Sequence, residues 1–561
     1  MPTLRQCLLD TYLIRLRAIA RFWEIDVTAR RQRETALELA EAMDRAEAVT
    51  HAWNALSDDR REALRALLAS DGQMPQRVFT REWGEIRAMG PGKMEREEPW
   101  KEPASPAEGL WYTGFVFRTI VQGPDSAYEA VFVPAELRNH LPAVDAERPK
   151  MTLEPAAAPA IVLRDRDRLL DDACTLLSYV QNERPRFPAN QRWPERHKQL
   201  VVSRLRIQDP EYFSFLSHLA FRMGWMFEEK TRRLRLTPEA VTAWLESIPF
   251  QQRRDMAEAW RDDPTWNDLF HVGSLQPEDT GAWRNDPLLA RKAVLRHMER
   301  CDPEAWYRLD AFVGAIKHVD ADFQRPDGDY DSWYIRDGET GVYLSGFESW
   351  DAVEGRLIRH LIRKPMAWLG LVELGANGED RSASFFRLTQ GGGAFLGLAE
   401  PPATPEPAPA RLRSSFRVAV PAARRYERFQ LARVADWLAS GNLFVYRLTP
   451  SSLDRARRQG ISATRVLEFL GNLIEAPVPR SVEAAVTRWA ARGAEARLER
   501  VLVLRISSEE LMDEVASSSA LGSLIQERIG PTTAAIREQD WERVIEALSK
   551  MGLLPEVGGL P

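Results

Sequence analysis

Leu4, Leu8, Tyr12, Leu16, Ile19 and Trp23 recur at spacings of three and four, which predicts one amphipathic helix along the first 23 residues. A second helix is expected across Arg30 to Met43, after a break at Asp26 and Thr28, so that residues 1–45 form a helical hairpin. Farther along, the period changes from helical to alternating three times. Met223-Gly224-Trp225-Met226-Phe227 leads through charged Glu228 to Arg233 into Leu234-Arg235-Leu236-Thr237-Pro238 and then a periodic Val241, Trp244 and Leu245. Leu369-Gly370-Leu371-Val372 leads through Gly375 to Gly378 into Ser384-Phe385-Phe386-Arg387-Leu388-Thr389, with Gly391 and Phe395 beyond. A looser copy runs from Val116 to Val121, through Gly123-Pro124-Asp125, to Ala130 to Pro134.

Helical segments precede the hairpin in each copy, as in Leu169 to Val180, Glu195 to Leu205 and Tyr212 to Met223. Helices, a left-handed glycine stop and a hairpin with one apolar face are the ingredients of a winged helix. Three such units are expected, at 46–140, 161–270 and 284–399. The hairpin at 1–45 resembles the two-helix SAP-like motif of DNA-associated proteins, a plain helical hairpin being the alternative. Proline density marks linkers at Pro142 to Ala160 and at Glu400 to Pro409, the latter within a linker of 400–413, and a loop at Glu98 to Pro106. A C-terminal domain at 414–561 completes an α+β, predominantly helical chain.

With 561 residues, 44% apolar and 28% charged, the chain is long enough for three to five folded units. Short apolar runs interrupted by arginine predict neither a signal peptide nor a membrane helix. The three cysteines, Cys7, Cys174 and Cys301, form no Cys-x-x-Cys pair and fit a reducing cytoplasm. Charge changes the picture more. Residues 411–505 carry eighteen arginines, no lysine and eight acids, an excess of ten positive charges in a chain whose net charge is −6. The remainder is therefore at −16, so a basic segment joins an acidic body and points to a polyanion.

Catalytic patterns are not met. Gly90-Pro91-Gly92-Lys93-Met94 lacks the first glycine and the hydroxyl of a phosphate-binding loop. Met512-Asp513-Glu514-Val515 imitates an acidic motor box but falls on a helical period. The eight histidines show no His-Glu-x-x-His spacing, and no Gly-x-Ser-x-Gly elbow occurs. The acidic run Asp320, Asp322, Asp327, Asp329 and Asp331 places Gly338 where a calcium loop needs its bidentate Glu, and reads as a solvated loop. Tryptophans such as Trp225, Trp244, Trp437 and Trp489 sit on apolar faces and read as core. No catalytic residue, metal or cofactor is assigned.

From Phe416 the text runs as a period-two strand to Val420, then Arg424, Arg425 and Arg428 with a helix through Leu431, Val434 and Leu438. Tyr446-Arg447-Leu448-Thr449-Pro450-Ser451-Ser452-Leu453, Pro477-Val478-Pro479-Arg480-Ser481-Val482, Trp489-Ala490 and a strand at Arg500 to Ile506 follow. This order, over Phe416 to Val557, resembles the helicase-associated domain of XPB-type DNA helicases. Arg488 stands where that family often has an acid. Without a motor, the resemblance implies an accessory or DNA-engaging role rather than unwinding.

Thr449 can cap a helix beginning at Pro450, and Arg455, Arg457 and Arg458 follow, so amides and arginines together suggest a phosphate seat. The candidate DNA-contacting residues are thus Arg424, Arg425, Arg428, Arg447, Arg455, Arg457, Arg458 and Arg480. The expected protein is a non-catalytic DNA-binding or helicase-accessory factor whose partners are DNA, met largely without sequence preference, and a separate helicase or other protein. A protein-interaction scaffold of winged helices is one alternative, with the arginines paired to acids of other modules. A hydrolase or nuclease built from carboxylates scattered in sequence is the other.

Overall fold

The computed structural model describes residues 1–123, 127–142, 151–163, 168–187, 193–281, 283, 285–378, 382–492 and 502–558. Among them the chain is α+β, with 24 α-helices and six small sheets, and no helix is long and apolar enough to cross a membrane. It divides into two units. The first holds Met1–Arg411, Val418–Arg433 and Trp437–Tyr446; the second holds Leu412–Arg417, Val434–Asp436 and Arg447–Pro561. Residues 418–433 and 437–446, counted above with a C-terminal domain at 414–561, thus belong to the first unit.

The single helix expected over the first 23 residues is two, Leu4–Leu9 and Leu13–Phe22. Thr3 and Gln6 close a capping box on the first, and Thr11 returns its hydroxyl to the Cys7 carbonyl at 2.8 Å where that helix stops. With Gln32–Met43 there are three helices before residue 45. Their apolar face shares one core with Phe115, Phe132 and Leu137, and Trp23 Nε1 donates to the Thr113 carbonyl at 2.7 Å.

All three hairpins form. Each follows a helix that ends on a glycine in the left-handed region: Gly114 (φ 77°), Gly224 (φ 68°) and Gly370 (φ 67°). A side chain there would strain the backbone, so the reversal from helix to strand needs glycine. The first hairpin pairs Phe117–Gln122 with Ala127–Phe132, and Gln73–Pro75 adds along the second strand; part of the turn expected at Gly123-Pro124-Asp125 lies outside the described residues. The second pairs Met226–Glu228 with Leu234–Leu236, extended by a bridge from Arg186 to Arg233. The third pairs Val372–Ala376 with Phe385–Leu388, with Tyr307–Arg308 beyond the second strand. The strand order is first, third, second in every copy.

The two later copies do not pack separately. One apolar core runs from Met151 to Phe429 through both, and Ile161–Leu163, ahead of the second copy, pairs with Val372–Ala376 of the third. The expected linker at 142–160 lies partly outside the described residues. Of the acidic run expected as a solvated loop, Asp320, Asp322 and Asp329 are ion-paired. Asp322, 21% exposed, accepts both Nη atoms of Arg81 at 2.8 and 2.7 Å, and Arg77 pairs with Asp329.

A histidine cluster sits in the same unit. His271 stacks on Trp266 at 3.8 Å, His218 pairs with Asp263, and Lys364 pairs with Glu211, whose carboxylate lies 4.0 Å from His360. Burial, with Lys364 and His271 nearby, pushes the His360 pKa down to about 3. Burial, with His218 and Lys364, pushes that of His271 down to about 4. Both rings therefore stay neutral in the fold while the unfolded chain takes up protons first. Their contribution is present above the ordinary value of about 6.5 and is lost as pH falls toward the folded values. Between pH 7 and 4.5, His360 alone should cost on the order of 2–3 kcal/mol. Urea denaturation at the two pH values should show that loss, and His360→Gln should flatten it.

In the second unit, helices Pro450–Arg458, Ala463–Ile474 and Arg480–Arg492 precede a sheet of Leu502–Arg505, Ile525–Gly530 and Thr533–Ile536. The last strand lies between the other two, so the same strand order occurs a fourth time. Met512–Val515 lies on the helix Glu509–Ser517, in keeping with its period.

Candidate nucleic-acid interface

The eight candidate arginines fall into two groups. Arg424, Arg425 and Arg428 belong to the first unit; Arg447, Arg455, Arg457, Arg458 and Arg480 belong to the second.

The helix Arg425–Leu431 packs on Arg168–Glu183 and turns two of its arginines inward. Arg425 Nε lies 3.0 Å and Arg428 Nη1 3.4 Å from the same Asp171 oxygen, while Arg206 Nη1 donates to the other at 2.5 Å. Asp171 is 0% exposed, Arg425 3% and Arg428 0%. Three guanidiniums on one carboxylate leave excess charge, and neutral acceptors share it. Arg428 donates to the Ala422 carbonyl at 2.9 Å and to Thr175 Oγ1 at 3.1 Å, and lies 3.3 Å over the Phe444 ring. Arg206 reaches Asn442 Oδ1 at 3.2 Å. Arg424 spans the Ala408 and Pro407 carbonyls and pairs with Glu427. Arg425 and Arg428 therefore do not face solvent, where a phosphate would meet them. The helix expected through Leu431, Val434 and Leu438 also stops at Leu431, and Asp436–Ala439 is a strand.

In the second unit, Thr449 caps the helix Pro450–Arg458 by accepting from the Ser452 amide at 3.0 Å, and Ser452 returns the bond to the Thr449 amide. The Thr449 hydroxyl donates to Asp436 Oδ2 at 2.5 Å. The amide end is thus closed by its own side chains. Arg455, Arg457 and Arg458 lie in the last turn, at the carbonyl end, where cations complement the helix dipole. The expected seat of amides plus arginines is not formed.

Arg455 is a structural group, donating to Asp436 Oδ1 at 2.9 Å and to the Ala435 carbonyl at 3.1 Å. Arg457 and Arg458 share Asp454 at 2.8 and 3.2 Å but are 74% and 72% exposed. The Arg457 hydrogen bond, helped by the charge of Arg458, holds the Asp454 carboxyl below its usual range, yet pairs this exposed contribute little and can be exchanged for a phosphate. Arg455→Ala should destabilise the second unit by about 1–2 kcal/mol, against about 0.5 kcal/mol or less for Arg457→Ala or Arg458→Ala, in chemical denaturation. Arg447 and Arg480 are exposed as well.

Sequence reasoning passed over a turn in this unit. The Phe416 amide donates to the Arg413 carbonyl at 3.0 Å and the Arg413 amide to the Arg417 carbonyl at 2.9 Å. The loop leaves Arg413 and Arg417 exposed. Phe416 has φ 63° and rests on Trp489 with ring centroids 5.0 Å apart. A bulky residue in that region costs roughly 1–2 kcal/mol, and the ring contact helps hold it. Two serines between arginines, Arg413-Ser414-Ser415-Phe416-Arg417, are the only local signal for this turn. Arg465, exposed on Ala463–Ile474, is a further cation outside the expected set.

The model of the helicase conserved C-terminal domain matches residues 414–530. This span is similar to that domain and holds all eight candidate arginines, which indicates a helicase-related or nucleic-acid-associated role. No curated protein matches the chain.

Proposed function

We propose that this chain is a non-catalytic DNA-binding or helicase-accessory protein, in which exposed arginines of the second unit contact phosphates with little sequence preference. The observation that carries this reading is the exposure of Arg447, Arg457, Arg458 and Arg480 inside the helicase-like span. Phosphate contacts fix position without reading bases. The order of motifs from Tyr446 to Ala490 favours the XPB-type variety of the domain. The repeated helix, glycine and hairpin with strand order first, third, second favours winged helices in the first unit. Fluorescence anisotropy of the full chain with mixed-sequence duplex and single-stranded DNA tests this. Binding at about micromolar strength or tighter at low salt is expected for phosphate-dominated contact.

A second reading has its own support. The helices before the second and third hairpins, Pro210–Arg222 and Trp350–Leu361, are mostly buried. The latter's arginines are committed, Arg356 to Asp337 and Arg359 to Asp310. These winged helices would then serve as a platform for protein rather than for DNA. No DNA binding at low salt, with a separate motor co-purifying through high salt, would make this scaffold reading the better one.

A further inference from the structure

In the N-terminal part of the first unit lies a cavity of about 370 Å³. Its walls include Arg15, Arg118, Trp111, Met89, Met94 and Phe117, and its volume falls in the range of small-molecule sites. Arg15, on the helix Leu13–Phe22, is 4% exposed, and its hydrogen bonds among the described residues go to main-chain carbonyls. Its Nε and Nη2 donate to the Trp111 carbonyl at 3.1 and 2.7 Å, Nη2 also reaches the Val116 carbonyl at 3.3 Å, and the guanidinium lies 3.5 Å from the centre of the Trp111 ring. Arg118 lies 5.0 Å from the same ring centre and donates Nη2 to the Ile86 carbonyl at 3.1 Å. Its Nε is buried with no hydrogen-bond partner among the described residues. Burial pushes the Arg15 pKa down to about 9 and lowers that of Arg118 as well.

Glu129, on the strand paired with that of Arg118, acts on Arg118 from outside the lining at longer range than an ion pair, and the charges of the lining itself do not answer these two. Arg87 is already spent on Glu108, which is 0% exposed and accepts Nη2 at 2.6 Å. Asp10 is the one acid among the lining residues, and it is exposed. Two desolvated guanidiniums that share an indole, one with an idle donor, carry a cost that a bound anion would offset. Met89 and Met94 form a small apolar cluster with Tyr112, and such thioether and indole walls suit a flat apolar body.

We propose that this cavity binds a small organic carboxylate with an aromatic body, its carboxylate held by Arg118 and Arg15 and its ring against Trp111 and the two methionines. The site is independent of the DNA reading.

Isothermal titration of the full chain with benzoate, indole-3-acetate and inorganic phosphate tests it. Indole-3-acetate should bind with a submillimolar Kd and phosphate at least tenfold more weakly. Arg118→Gln should weaken indole-3-acetate at least tenfold while moving the thermal midpoint of the free protein little, since Arg118 gives one carbonyl hydrogen bond and a ring contact at 5.0 Å. Arg15→Gln removes bonds to two carbonyls and is the less clean variant, so the decision rests on Arg118. No binding of either carboxylate at 10 mM, phosphate binding as well as the carboxylates, or an affinity unmoved by Arg118→Gln would each overturn the proposal.

Discussion

Asp171→Asn should destabilise the first unit by about 3–5 kcal/mol, because it leaves buried guanidiniums without their counter-charge. Arg206, Arg425 and Arg428 all converge on this carboxylate, and the carbonyl, hydroxyl and ring acceptors around them are neutral. Asparagine keeps the shape and loses the charge, so the cost is electrostatic rather than a cavity. Chemical denaturation followed by circular dichroism reads it directly. A change within about 1 kcal/mol, the scale of an ordinary exposed pair, would mean that the network is hydrated and that Arg425 and Arg428 are accessible. The same result would return both to the set of candidate DNA contacts.

The second large effect is on binding. Reversing Arg447, Arg457, Arg458 and Arg480 to glutamate should weaken duplex binding on the order of a thousandfold at about 0.1 M salt, if each arginine neutralises one phosphate. Folding should be little changed, because these side chains are exposed and Arg455 is left in place. Anisotropy gives the affinity, and far-ultraviolet circular dichroism checks the fold. Retained affinity in a folded variant would take these four residues out of the interface.

Much of the local architecture was legible because it is written in short-range patterns. The hairpins follow from alternation beside Gly224 and Gly370, and the helix at Pro450 from its Thr449 cap. Long-range pairing was not. Arg425 lies 254 residues from Asp171, so nothing near it distinguishes a buried arginine from an exposed one, and charge counting placed it on the surface. Asp322 and Asp329 met the same difficulty, their partners Arg81 and Arg77 lying in another segment. The break at Asp10 to Tyr12 escaped because the apolar spacing continues across it while Thr11 turns back locally. Leu431, Val434 and Leu438 fit a helical spacing by coincidence, since the last lies on a strand. Edge strands such as Tyr307–Arg308 are too short to show any period.

The candidate site shows the same division. Composition located the basic segment, but only packing separates the buried arginines of the first unit from the exposed ones of the second. The turn carrying Arg413 and Arg417 depends on Phe416 adopting a left-handed backbone against Trp489, a pairing of residues far apart in sequence that the strand-like spelling of Phe416 to Val420 conceals.

Under the proposed function, exposed arginines of the second unit contact DNA phosphates and release counterions, and the salt dependence of binding reads that contact. The logarithm of the association constant for a mixed-sequence duplex should fall linearly with the logarithm of salt concentration in the native protein. In a variant with Arg447, Arg457, Arg458 and Arg480 changed to glutamine, the slope should shrink by about three to four, roughly 0.9 for each phosphate no longer neutralised. An unchanged slope, or no binding by the native protein at low salt, would contradict the account and leave the arginines to protein partners.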